Sequence, residues 1–225
     1  MFSRFLANVR FSAFRKIILL GLVFSFLLGI NLLVNPQPAL AHHAMGGQTP
    51  GNFAQGLLSG LAHPIIGLDH LAFVITIGLL AALRNKAGMV IPVIFVIATM
   101  IGTGVHLLSI DLPLPEVIIA ASVLVLGILL AKENLANLRL LVGLGAIAGI
   151  FHGYAYGESI IGAETTALTA YLLGFCLIQL IISAIAFFCG RLVITKAMTP
   201  TLTLRFVGFT ICGVGATFLS NAVLG

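Results

Sequence analysis

The sequence predicts an all-α membrane protein, a polytopic helical bundle of six transmembrane helices behind a cleaved signal peptide. Three observations carry this. Of 225 residues, 60% are hydrophobic and only 8% are charged, against roughly 25% charged in an average soluble domain. So few charges cannot solvate the outside of a soluble fold, which excludes a cytosolic globular protein, a disordered chain, a coiled coil and a disulfide scaffold. The apolar residues gather into long runs punctuated by Pro, Gly and charges, and the basic residues fall on alternate connections between those runs. Cys176, Cys189 and Cys212 all sit inside apolar runs, where they read as small core hydrophobes.

The first element is an address. Arg4, Arg10, Arg15 and Lys16 precede an apolar stretch from Ile17 to Ile30, a polar Asn35-Pro36-Gln37-Pro38 patch and then Ala39-Leu40-Ala41. A basic region, an apolar stretch of 14 residues and an A-x-A site make a secretory leader, residues 1–41. That stretch is short for a bilayer span, which needs about 20 residues. An uncleaved first helix is the competing reading. Cleavage after Ala41 leaves a mature chain, 42–225, that begins His42-His43. Four of the 11 Lys and Arg residues leave with the leader, so seven remain against 6 Asp and Glu. The apparent basicity belonged to the targeting segment, and no nucleic-acid footprint remains.

Six apolar segments follow, at about 53–83, 87–110, 113–131, 138–161, 164–190 and 201–223. Arg84 and Lys86 lie in the first connection, Lys132 and Arg139 in or beside the third, and Arg191, Lys196 and Arg205 in or beside the fifth. The even connections and both mature ends have none. The positive-inside rule then puts both termini outside an inner or plasma membrane, as the leader independently demands. Every loop is short, so function must lie within the helices. There, ionisable residues are expensive and each is a candidate site residue.

Those residues converge. The first segment contains His63-Pro64-Ile65-Ile66-Gly67-Leu68-Asp69-His70. On one continuous helix His63, Gly67 and His70 share a face, with Asp69 turned toward a neighbour. Pro64 is expected to disturb the turn before it, and broken helices of this kind line cavities or ion sites. The second segment carries His106, the fourth His152 and Glu158. With the topology above, His63, His70, His106, His152 and Glu158 fall at or above the midplane on the extracytoplasmic side, below His42 and His43. Imidazole and carboxylate suit divalent Ni, Co, Zn and Cu, and the missing thiolates argue against Cu(I). The free α-amine of a cleaved chain could grip a cation together with His42, with His43 close by. In the fourth segment Gly145, Gly149, Gly153 and Gly157 recur every four residues, a stripe that permits close helix approach within one subunit or between subunits of a homo-oligomer. Tyr154 and Tyr156 beside it read as interfacial anchors or as hydroxyl partners of the site.

The string His63-Pro64-x-x-Gly67-x-Asp69-His70 resembles the signature of the HupE/UreJ family of nickel and cobalt permeases. The Gly-rich approach (Gly46, Gly47, Gly56, Gly60) and the Phe151-His152-Gly153-x-Ala155 segment are also similar, and the likeness covers essentially the whole mature chain. It implies uptake of Ni²⁺ or Co²⁺ by a small secondary permease that is not an enzyme and keeps no permanent cofactor. By the resemblance His63, Asp69, His70 and His152 are metal-site candidates, with Glu158 a weaker one. One departure stands out: family members often have more histidines where this chain has Tyr154 and Tyr156. Two other classes compete from the residues alone. Three His, Asp69 and Ser59, one turn before His63, could hold a catalytic Zn²⁺ in an intramembrane hydrolase. The histidines could instead serve packing, a pigment or a haem in a non-transporting assembly subunit.

Overall fold

The structure is a computed structural model describing residues 48–224. The expected leader and the His42-His43 pair therefore lie outside the described residues. Seven α-helices follow one another: α1 Phe53–Ile66, α2 Leu68–Leu83, α3 Val90–Leu107, α4 Pro115–Ala131, α5 Leu138–Glu158, α6 Thr165–Lys196 and α7 Pro200–Leu224. A short 3₁₀ turn, Asn85–Met89, leads into α3. No strand occurs among the described residues. The all-helical expectation holds.

Among the described residues four helical stretches are long and apolar enough to cross a membrane: Asn85–Leu107, Leu138–Glu158, Thr165–Lys196 and Pro200–Leu224. The expected first span is two helices bent by 79°, which makes a fifth crossing only if the pair is one broken span. The expected third span, α4, has 17 residues, about 25 Å of helix against about 30 Å of hydrocarbon. Helices reach four or five crossings by length and composition, where the sequence led us to expect six. The fifth expected segment also runs on past 190, because α6 continues through Arg191 to Lys196.

The outer surface is apolar: Ile97, Ile101, Ile147, Leu173, Phe188 and Phe209 are all exposed. Buried polar side chains point inward, among them Thr76, Thr99, Thr103, Gln179 and Ser183. A chain in water would arrange the two classes the other way round. α2 is the central helix, packing on α6, α4, α1, α3 and α7, and its Phe73, Val74 and Ile77 are fully buried. Around it the helices pair, α3 with α5, α4 with α7 and α1 with α6.

Glycine sets those pairings. A Cβ on Gly149 would meet Ala98 Cβ at 2.7 Å, one on Gly153 would run into the Thr99 backbone, and one on Gly157 would meet His106 Cβ at 2.7 Å. The small-residue stripe of α5 is therefore spent inside the chain, against α3. At one end of the bundle the basic connections are tied together. Arg84 donates to the Ala136 carbonyl. Arg191 Nη1 donates to Asn85 Oδ1 at 2.5 Å, and Arg205 Nη1 pairs with Glu133 Oε1 at 2.6 Å. The three connections that the charge rule groups together do share one end.

Candidate metal site

The break that shapes the site falls at Gly67. Pro64 lies inside α1, and the helix continues past it to Ile66. Gly67 then leaves the helical region (φ −72°, ψ 98°) while its N–H still donates to the His63 carbonyl at 3.0 Å. Glycine is the least costly residue to take out of a helix, and α2 restarts at Leu68 on the new axis. This corrects the expectation that His63 and His70 share a face of one helix with its disturbance before Pro64. On a straight helix the two Cα atoms would be about 10.5 Å apart along the axis. With the break, His63 in the last turn of α1 and His70 in the first turn of α2 bring their ring centroids to 5.7 Å.

His152 joins them from α5. Its ring centroid is 4.9 Å from that of His70, and the two Nδ1 atoms approach to 2.7 Å. All three imidazoles are buried, at 1% (His63), 2% (His70) and 0% (His152) exposure. Tyr156 completes the cluster, with its ring 5.0 Å from His63 and 4.7 Å from His70. Its hydroxyl has no hydrogen-bond partner among the described residues. Of the two sequence readings of Tyr156, partner of the site rather than interfacial anchor is the one its burial matches.

Hydroxyl groups fix where the imidazole protons sit. Ser122 Oγ lies 2.6 Å from the Ile119 carbonyl, which can only accept, so the Ser122 proton goes there. Ser122 Oγ must then accept from His152 Nε2, 3.1 Å away. With Nε2 protonated, neutral His152 presents a bare Nδ1, and His70 Nδ1 supplies the proton between them. Neutral His70 is left with an unprotonated Nε2. Two hydroxyls reach Nδ1 of His63. The Tyr171 hydroxyl donates to the Tyr156 carbonyl at 2.8 Å, so its oxygen can only accept from His63 Nδ1 at 3.1 Å. Ser159 Oγ lies 2.9 Å from the same nitrogen. A proton on His70 Nδ1 leaves its Nε2 unprotonated in the ring beside His63, whose Nδ1 is held by Tyr171 and Ser159. That is the state in which imidazole binds a metal, with the other ring nitrogen held by an outer partner.

The remaining candidates take other positions. Asp69 is buried in the first turn of α2, where its Oδ1 accepts the His70 backbone N–H at 2.8 Å. A carboxylate at the positive end of a helix meets the orphan donors of the first turn. His106 closes α3 half-buried against Tyr154, ring centroids 4.3 Å apart, and Tyr154 donates to Asp111 Oδ1 at 3.3 Å. Glu158, the last residue of α5, is exposed. Among the described residues no three His, Cys, Asp or Glu side chains are grouped to hold one ion, so the expected four-histidine layer resolves into a three-imidazole cluster and a separate His106–Tyr154 pair. Ser59 is buried, but the serine that meets His63 is Ser159.

Ser122, Ser159 and Tyr171 were not anticipated. Ser122 and Tyr171 lie in segments without histidine and Ser159 directly follows Glu158, and a hydroxyl is a weaker signal in hydrocarbon than an imidazole.

An apolar exterior enclosing inward-turned imidazoles and hydroxyls defines an integral membrane helical protein with a buried polar site. Residues 30–218 match the family described as HupE / UreJ protein. The chain belongs to that family. It is 30% identical over 183 residues to Protein HupE of Rhizobium leguminosarum bv. viciae, a match covering 81% of this chain and 91% of that relative. No solved structure matches the chain.

Proposed function

We propose that this protein is a secondary transporter that imports Ni²⁺ or Co²⁺ across the membrane, binding the ion at His63 and His70 in the extracytoplasmic half of the bundle. The observation that carries this reading is the proton arrangement. Outer partners engage Nδ1 of both His63 and His70, so Nε2 is the nitrogen that each ring offers an ion in this reading. His152 orients His70, and Ser122 orients His152. Tyr156, against both rings, can add an oxygen, and Asp69 supplies negative charge at the break. A catalytic zinc wants three converged ligands, whereas an ion in transit needs a site weak enough to leave.

In this reading both termini are extracytoplasmic, and α1–α2 and α4 count as crossings, which gives six. His106 and Glu158 lie on the approach, where they raise the local ion concentration rather than complete the site, a role the His42-His43 pair of a cleaved chain would share. A proton competes with the metal for the same Nε2 lone pair, so acid on the outer side opposes uptake.

The test is uptake of radiolabelled Ni²⁺ and Co²⁺ by the full chain in proteoliposomes. Wild type accumulates metal and His70→Ala falls by at least about tenfold, the scale of losing a partner in a metal site. Equal accumulation by both proteins sinks the proposal.

A further inference from the structure

Gln179, near the middle of the 32-residue α6, is fully buried and plays no part in the imidazole cluster. Its Nε2 donates to the Phe175 carbonyl at 2.9 Å. That contact fixes the amide, because a flipped amide would set two acceptor oxygens against each other. Oε1 is then buried with no hydrogen-bond partner among the described residues, a costly state for an amide oxygen.

The neighbouring hydroxyls have no proton to give it. Thr99 Oγ1 accepts from Gln179 Nε2 at 3.5 Å and donates to the Val96 carbonyl at 2.8 Å. Ser183 Oγ, one turn along α6, donates to the Gln179 carbonyl at 2.7 Å. Thr103, one turn from Thr99, donates to the Gly153 carbonyl at 2.8 Å. Every hydroxyl proton is turned back onto a backbone carbonyl, so the oxygens offer lone pairs. Such surroundings suit a cation, or a water bringing its own protons.

The group adjoins the imidazoles. Thr99 packs its backbone on Gly153, the residue after His152, and Phe95, one turn earlier, has its ring 5.6 Å from His152. On α6, Tyr171 bonds His63, and Gln179 lies two turns further on, about 12 Å toward the end that carries Arg191 and Lys196.

We propose that Gln179 Oε1 is a second, oxygen stop for the permeating divalent cation, its amide held by Phe175 and Thr99 through Nε2, reached past His152 on the way to the arginine-tied end of the bundle. The inference rests on the permeation reading above. Imidazoles that capture a scarce transition-metal ion must also let it go. Neutral amide and hydroxyl oxygens hold Ni²⁺ or Co²⁺ more weakly than imidazole does, so the ion passes inward without being trapped.

The experiment compares full-length wild type, His70→Ala, Gln179→Met and Gln179→His, with Ni²⁺ as the probe. It measures uptake by proteoliposomes, equilibrium binding, and metal retained by the purified protein after desalting. No uptake by wild type, or equal uptake by His70→Ala, overturns the permeation reading and this inference with it. With those arms as expected, Gln179→Met keeps the side chain's bulk and loses the oxygen. It slows uptake about tenfold while Ni²⁺ binding stays within about twofold of wild type. Gln179→His replaces a weak oxygen by an imidazole, so it slows uptake and retains more Ni²⁺ than wild type. Should Gln179→Met fail to fold, Thr99→Val removes the hydroxyl that holds Gln179 Nε2 at nearly constant shape, loosens the aim of Oε1 and is expected to slow uptake severalfold. Wild-type uptake by Gln179→Met (or by Thr99→Val in its place) overturns the inference. So does lost uptake in Gln179→His without extra retained metal, which marks a packing role or a trapped water.

Discussion

His63, His70 and His152 differ from His106 in what surrounds them, although all four are histidines in apolar segments. The first three are buried with their Nδ1 or Nε2 atoms engaged by hydroxyls or by one another. His106 is half-buried at a helix end, its ring against Tyr154 and its buried Nδ1 without a partner among the described residues. An imidazole becomes a prepared metal ligand when a second group decides which nitrogen carries the proton. Residue type and depth do not settle that; the hydroxyl behind the ring does.

The comparison breaks most easily at the rings themselves. His70→Ala is expected to cut Ni²⁺ uptake by on the order of 100-fold, because it removes a ligand and unties His152, whereas His106→Ala costs less than about threefold. Parallel proteoliposome assays measure both, and equal losses would erase the distinction. The outer partners come next. Tyr171→Phe removes one of the two hydroxyls at His63 Nδ1 and the hydroxyl that donates to the Tyr156 carbonyl. The concentration of Ni²⁺ for half-maximal uptake then rises about tenfold. Tyr154→Phe, beside His106, leaves it unchanged.

Helix approach gives a third contrast, read as stability. A methyl at Gly153 runs into the Thr99 backbone, while one at Gly104, in the same helix pair, meets nothing within 4 Å. Gly153→Ala should cost about 1–3 kcal/mol, seen as a lower unfolding midpoint in detergent, and Gly104→Ala close to none. The smallest effect is that of acid. A protonated imidazole has no lone pair, so uptake slows severalfold as the outer solution goes from neutral to mildly acidic. The Ni²⁺ concentration needed for half-maximal uptake should carry the change, with the maximal rate little altered.

Much of this architecture was legible beforehand. The start of α5 at Leu138, the end of α4 at Ala131 and the start of α7 at Pro200 all fall within a residue of where Pro, Lys132 and the polar connections put them. The grouping of Arg84, Arg191 and Arg205 at one end follows from charge spacing alone. The break was misplaced for a physical reason. Pro64 forfeits one backbone donor, yet the helix tolerates it, whereas Gly67 gives up the helical conformation altogether. Because that break, rather than helical periodicity, brings His63 to His70, their closeness could not be read from i, i+7 spacing. Ser122 and Tyr171 escaped notice because no histidine lies in their segments. The role of a lone hydroxyl depends on which helix lies opposite, and that is a property of the packed bundle. Asp69 was visible as a charge, but its place at a helix start follows only once the break is known.

X-ray absorption at the metal edge on the full-length protein loaded with one equivalent of Ni²⁺ puts the central claim to the most direct test. The account predicts an inner shell containing at least two imidazoles, reduced by one in His63→Gln and unchanged in His106→Gln. A wild-type shell made of oxygen alone, indistinguishable from the aqueous ion, would contradict it.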